Sequence, residues 1–234
     1  MAVKKDNNKD KIAKQIAELW GGIESEQLAV LKEHLHITKF KKGESIYQNE
    51  GTPTDAMCLI QGKVKIYKEG INGKSQIIRV IKPIEFFGFR AYFAEEIYKT
   101  AAMALENSVI AHFPMAVLMK IMQKSYNIAY FFIKYLSVEI GKSDDRTVNL
   151  TQKHIRARLA EALLFLKDSY GMEDDGLTLS TSLSREDLAN IASMTTSNAI
   201  RTLSAMAQEG LISLKGKKIK LLKEDELKTI SEQG

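Results

Sequence analysis

Cysteine is almost missing from this sequence. Only Cys58 stands in the 234 residues, so no intramolecular disulfide can form. One thiol also falls short of the several thiolate or imidazole ligands that a zinc or iron-sulfur site needs. A reducing compartment, the cytoplasm, is the simplest home. Proline is limited to 3 residues and glycine to 14, which excludes collagen-like and low-complexity architectures. No stretch approaches the roughly 18 consecutive apolar residues that span a bilayer, and the polar, lysine-containing N-terminus lacks the apolar core of a secretion signal. No membrane partner is expected.

Enzymatic signatures are missing too. The Gly-Lys-Ser triplets at 73–75 and 141–143 have Lys68 and Leu136 where a phosphate loop requires its first glycine. There is no Gly-x-Ser-x-Gly, no His-Glu-x-x-His and no Gly-x-Gly-x-x-Gly, the minimal marks of an activated serine, a zinc protease and a dinucleotide fold. The sequon Asn149-Leu-Thr151 is without meaning in a cytoplasmic chain. The expectation is a protein that is not an enzyme.

What the sequence does contain is an ordinary folded composition, 44% hydrophobic and 27% charged, with length for one large domain or two modest ones. The net charge of +5 is unevenly spread. From Thr151 onward, 12 basic and 12 acidic residues cancel, yet residues 176–223 hold 7 basic against 3 acidic. The acidic residues are displaced to Glu173-Asp174-Asp175 before that stretch and Glu224-Asp225-Glu226 after it. A local basic patch of this kind suits a nucleic-acid partner.

Periodicity divides the chain. Residues 12–20 and 25–35 show helical spacing (Ile12, Ile16, Leu19; Leu28, Leu31, Leu35) on either side of Gly21-Gly22, after a frayed basic tail. From about 38 to 114 the pattern is short runs rich in Ile, Val, Phe and Tyr, punctuated by glycines. The runs 57–60, 63–67 and 76–81 read as strands, with a hairpin-type loop at 70–73. Many short strands with regular turns mean a β-sandwich or jelly roll.

After Pro114 the helical period returns. Between 127 and 150, Ile133, Leu136, Ile140, Ser143, Thr147 and Leu150 follow spacings of 3, 4, 3, 4 and 3, a coiled-coil seam that suits a dimer helix. A helix packed on its own domain is the alternative, because Ser143 and Thr147 are polar. A further helix is expected over 153–167, and with no Gly/Ser linker the second domain begins near 149–153.

The chemistry is concentrated between 183 and 221. Ser184 is a good N-cap with acidic residues following, and opens a short helix through Leu188 and Ile191. Ser193-Met194 makes a tight turn. Thr195 then caps a second helix with an apolar face of Ala199, Ile200, Leu203 and Met206, and Thr196, Ser197, Asn198, Arg201 and Thr202 opposite. Gly210 ends it. Two helices joined by so short a turn form a helix-turn-helix, whose second helix enters the DNA major groove by its N-terminal turns. The segment 211–222, with Lys215-Gly216-Lys217 at its tip, adds a basic hairpin and makes the unit a winged helix. Arg201 has the geometry to bond guanine bidentately, while Ser184, Arg185 and Lys217 suit phosphates.

These residues resemble a known family. Leu183-Ser-Arg-Glu-Asp-Leu-Ala-Asn-Ile-Ala, Thr195-Thr-Ser-Asn-Ala-Ile-Arg-Thr-Leu, Gln208-Glu-Gly-Leu-Ile and Gly216-Lys-Lys-Ile, behind a strand-rich half and a long helix, look like the Crp/Fnr family of bacterial transcription regulators. The resemblance implies an α+β chain. It has an N-terminal β jelly roll (double-stranded β-helix) over 1–126, a long coiled-coil dimerisation helix over 127–150 and a C-terminal winged helix-turn-helix over 151–234. It further implies a homodimer on a palindromic double-stranded DNA operator, with RNA polymerase as a partner. By the same resemblance Arg201 matches the recognition-helix arginine, and Thr196 and Ser197 hold positions that read bases. The common Arg-Glu pair is absent there, so the usual operator is not assumed.

The sensor half departs further from the family. Cyclic-nucleotide binders hold the ribose with the glutamate of Gly-Glu-Leu and the phosphate with the arginine of Arg-Ser/Thr-Ala. Here the matching segments are Gly88-Phe89-Arg90 and Lys99-Thr100-Ala101. Phe89 cannot accept ribose hydroxyls, and Lys99 offers a point charge in place of a planar fork. The effector is therefore expected to be an unknown small molecule other than cAMP. Gly88, Phe89, Arg90, Lys99, Thr100, Ala101 and Ser143 are the effector-pocket candidates, although Arg90 and Lys99 read equally as solvated charges. The N-terminal cysteine cluster of the iron-sulfur branch is absent. His34, His36, His112 and His154 stand in no heme motif, and His34 and His36 on one strand face would make an incomplete metal site. A heme or small-molecule sensor acting through protein partners is the alternative reading.

Overall fold

The computed structural model describes residues 3–70, 75–181 and 183–233, with side chains from Lys9 onward. The chain forms two compact units, Met1–Gly73 with Ile78–Ile140, and Gly141–Gly234 with Lys74–Ile77.

In the first unit, helices α1 (Val3–Leu19) and α2 (Ser25–His34) precede the strands β1 (His36–Phe40), β2 (Ser45–Tyr47), β3 (Asp55–Gln61), β4 (Val64–Glu69), β5 (Ser75–Ile81) and β6 (Phe86–Phe87). A single turn of helix, α3 (Arg90–Phe93), leads to β7 (Ala101–Ala104) and β8 (Ser108–Pro114). Helix α4 (Met115–Gln123) follows, and then the long α5 (Tyr126–Gln152), whose residues from Gly141 on belong to the second unit. The strands form two four-stranded sheets, in the orders β1-β8-β3-β6 and β2-β7-β4-β5.

The period of two along each strand explains how the sheets pack, because successive side chains leave opposite faces. Leu59 and Ile110 point toward Val64, Ile66, Ile81 and Ala102 of the facing sheet. Their neighbours Cys58 and Ala111 point the other way, into the cluster of Trp20 with Leu31, Leu118 and Phe132 of the helices. The first sheet is thus covered on both sides. Gly62 makes the tight link from β3 to β4: at φ +96° a Cβ there would lie 2.7 Å from the backbone oxygen of Asn107.

Several expectations change here. The basic N-terminal stretch is helical from Val3, not a frayed tail, because α1 carries the stripe Ile12, Ala13, Ile16 that buries against the core with Trp20 just beyond it. His34 and His36 do not share a strand face. His34 ends α2 with its Nδ1 3.0 Å from the Val30 carbonyl, whereas His36 begins β1 and pairs across the ladder with His112. Of the hairpin loop expected at 70–73, Ile71, Asn72 and Gly73 lie outside the described residues.

The second unit contains α6 (Ile155–Tyr170), α7 (Arg185–Ile191), α8 (Thr196–Gln208), the hairpin β9 (Ile212–Lys215) and β10 (Lys218–Leu221), and α9 (Glu224–Glu232). Leu159, Leu163, Leu188, Leu203, Met206, Leu211, Ile219 and Leu227 form its core. Helix α9 was not expected. Its signal was present all the same: the acidic triplet Glu224-Asp225-Glu226 occupies its first turn, where the helix dipole favours negative charge.

Candidate nucleic-acid interface

The Ser184 hydroxyl accepts a hydrogen bond from the Asp187 backbone N–H at 3.0 Å and donates to the Asp187 carboxylate at 2.8 Å, so α7 starts where the sequence places it. Thr195 caps α8 in the same way, accepting from the Asn198 N–H at 3.2 Å. Both hydroxyls are thereby committed to holding the two helices.

Between the helices the chain reverses at Ser193, whose φ of +53° is rare for a residue with a side chain. The Arg158 guanidinium of α6 fixes that turn by donating to the Ser193 carbonyl at 2.8 Å. Sequence reasoning passed over Arg158, because nothing in the local pattern of α6 distinguishes it.

Buried Ala199, Leu203 and Met206 anchor α8 on the core. Ser197, Arg201, Ser204 and Gln208 then face outward, with Thr196 and Asn198 half-exposed beside them. Arg201 donates to the Asn198 amide oxygen at 2.6 Å, which orients the guanidinium along the outer face. Ile200 departs from expectation: it is exposed rather than in the apolar face, because it lies toward the Thr196 side of the helix and not between Ala199 and Leu203.

The hairpin of β9 and β10 pairs Lys215 with Lys218 around Gly216-Lys217, and Gly216 takes φ +59°, as such a two-residue turn requires. Arg185 donates to the Gly216 carbonyl at 2.7 Å and so ties α7 to the hairpin tip. Partial burial lowers the pKa of that guanidinium from its ordinary value. Lys218 and Lys220 pair with Glu173 and Asp175 at 2.9 Å each. Lys217 is exposed at the tip. Thr196, Ser197, Asn198 and Arg201 thus lie at least partly exposed on α8 and Lys217 is exposed at the hairpin tip, while Ser184, Thr195 and Arg185 act as fasteners of the unit.

In the first unit, Gly88 (φ +84°) turns the chain from β6 into α3. A Cβ there would lie 3.2 Å from the Asp55 carbonyl and 3.4 Å from the Tyr98 hydroxyl. Phe89 is a correction. It is 1% exposed and its ring packs edge-on against Phe93, Phe132 and Tyr135, so it belongs to the core rather than to the surface. Arg90 and Lys99 stay more than half exposed and converge on one carboxylate, Glu96, at 3.9 and 2.8 Å. Lys99 and, more weakly, Arg90 hold the Glu96 carboxyl below its ordinary pKa. Thr100 lies with its hydroxyl 3.4 Å from that of Tyr47, and Ala101 is buried in β7.

Sequence reasoning missed Arg79 of β5. It contacts Glu139 of α5 at 2.8 Å and donates to the Tyr135 hydroxyl at 2.8 Å, which in turn donates to the Phe86 carbonyl at 2.9 Å. Burial pushes the Tyr135 hydroxyl up to about 12. Among the described residues no three His, Cys, Asp or Glu side chains gather as a metal site, and no helix is long and apolar enough to cross a membrane.

Helix α5 buries Ile128 and Phe132 in the first unit's core but leaves Ile133 60% and Ile140 63% exposed. Tyr126 and Tyr130 continue the same stripe toward the N-terminus, with rings stacked at 5.8 Å. Leu136 is half-buried and flanks the first unit's own core. Leu150 is exposed, as is Ser143.

A β-sheet domain, a long helix and a helix-turn-helix with a basic hairpin define a two-domain DNA-binding regulator. The comparisons agree. The signature of the cyclic nucleotide-binding domain matches residues 37–125, and that of the Crp-like helix-turn-helix domain matches residues 157–230. The chain is 22% identical to the CRP-like cAMP-activated global transcriptional regulator of Mycobacterium tuberculosis, over 87% of this chain and 91% of that one. It is 28% identical to the Anaerobic regulatory protein of Bacillus subtilis, over 82% of each. The structure of FixK2 from Bradyrhizobium japonicum superposes with a TM-score of 0.75 at 20% identity, covering 84% of this chain and 96% of that one. This chain belongs to the Crp/Fnr family of bacterial transcription regulators, which are not enzymes.

Proposed function

We propose that the protein is a cytoplasmic homodimer that reads a two-fold symmetric operator through α8, with RNA polymerase as its further partner and an effector other than cAMP. The observation that carries this is the outer face of α8, where Arg201 is exposed and oriented by Asn198 on a helix capped by Thr195. Arginine bonds guanine bidentately in the major groove, and hydroxyls and amides at the helix start reach neighbouring base edges. The exposed stripe Tyr126, Tyr130, Ile133 and Ile140 on α5 supports pairing of two copies through that helix.

In this reading residues 1–126 are the effector domain, 127–150 the dimer helix and 151–234 the DNA-binding domain. The strand orders β1-β8-β3-β6 and β2-β7-β4-β5 support a jelly roll for the first. Buried Phe89 and the carboxylate of Glu96 against Arg90 and Lys99 argue against a cyclic nucleotide held in the family's usual manner.

Selection of duplexes from a random pool at one stated salt concentration tests the function. A palindrome with half-sites about one helical turn apart is expected. Arg201→Ala is expected to lose roughly 1–3 kcal/mol of discrimination between this operator and scrambled DNA. Equal affinity of the unaltered protein for both duplexes would overturn the reading.

A further inference from the structure

Ile200 is out of place for a helix that packs on a core. Its neighbours Ala199 and Leu203 are fully buried, yet Ile200 is 49% exposed. It stands four residues after Thr196, three after Ser197 and one before Arg201, so it lies within the first two turns of the outer face, among the groups assigned above to base reading. Exposed Ser197, Arg201 and Ser204 surround it, which makes it a single apolar point in a polar surface. A β-branched side chain there brings little helix propensity and little burial within the chain.

We propose that Ile200 determines specificity by closing on the C5-methyl group of a thymine in each half-site. The inference rests on α8 being the DNA-reading helix. The thymine methyl is the apolar feature of the major-groove base edges, and it is read by apolar contact. Hydroxyls and a guanidinium recognise hydrogen-bonding groups and are indifferent to that methyl. Ile200 supplies the complementary chemistry, and its position beside Arg201 places the thymine next to the base pair that Arg201 reads.

The test uses the full-length protein and its selected operator, with each thymine replaced in turn by deoxyuridine in both half-sites. Deoxyuridine differs only by loss of the methyl. At one position the unaltered protein is expected to bind about fourfold more weakly per half-site, the effect of one buried methyl-sized group. Ile200→Ala is expected to bind thymine and deoxyuridine duplexes equally, with the affinity of the unaltered protein for the deoxyuridine duplex. Ile200→Val, which keeps a branched apolar surface, retains the preference for the methyl. Indifference of the unaltered protein to every replacement would overturn the inference, as would an unchanged methyl preference in Ile200→Ala. Failure to select any operator would instead strike the DNA-binding reading itself, and this inference with it.

Discussion

Glu139→Gln removes one charge from the ion pair that fastens α5 to β5. The pair is 2.8 Å long, and its side chains are 26% (Arg79) and 19% (Glu139) exposed, so it lies between two limits. Breaking a fully buried pair costs about 3–5 kcal/mol, because the remaining charge is stranded out of water. An exposed pair contributes about 0–1 kcal/mol. Glutamine keeps an acceptor for Arg79, and the Tyr135 hydroxyl still receives its other N–H. A loss of about 2 kcal/mol is expected. Urea unfolding at fixed protein concentration reads this as a midpoint lowered by about 0.5–1 M, and the fixed concentration is needed because dimerisation adds to stability. Arg79→Met alone and combined with Glu139→Gln completes a double-mutant cycle, in which a coupling of about 1–2 kcal/mol is expected. An unshifted midpoint in Glu139→Gln, or strict additivity in the cycle, would refute the claim that this pair joins the sheet to the long helix.

Ile133→Glu combined with Ile140→Glu places like charges on the stripe of α5, and sedimentation is expected to show monomers that bind operator half-sites weakly; a persistent dimer would move the interface elsewhere. Asp175, held by Lys220 first and by backbone and hydroxyl donors of Thr178, has a carboxyl pKa lowered from 3.8. A depressed carboxylate stabilises the fold above its unfolded pKa and loses that contribution as pH falls through the folded value. The stability gap between the unaltered protein and Asp175→Asn should therefore be constant above about pH 5 and narrow progressively below it; a gap independent of pH would contradict the assignment. Burial, with Glu85 adding repulsion, pushes the Cys58 thiol up to about 12, so a thiol reagent at pH 8 should label the protein only after unfolding. Rapid labelling of the native protein would mean that β3 opens.

Much of the fold was legible in sequence because the relevant signals are local. Caps are an example: Ser184 and Thr195 each bond a backbone N–H three residues on, so residue type and spacing alone located both helices of the DNA-reading unit. The strands at 57–60 and 63–67 are legible as a short apolar run and an alternating run on either side of Gly62. The effector pocket was less legible. Phe89 looked like a ligand-facing substitution, but whether an aromatic residue after a glycine turn faces a cavity or the core depends on Phe93, Phe132 and Tyr135, which approach from α3 and α5.

By itself the sequence determined the two-domain order, the long helix, the helix-turn-helix and its arginine, since hydrophobic period, capping residues and charge runs act over a few residues. Tertiary structure alone decided which apolar positions are spent on the core. On α5 it set Leu136 half-buried beside the core and left Tyr126 and Tyr130 outside, and on α8 it buried Ala199 and exposed Ile200. It also decided the partners of Arg79 and Arg158, whose contacts lie far away in sequence. The reason is that the face a helix buries is fixed by the surface it meets, and that surface is assembled from segments distant along the chain.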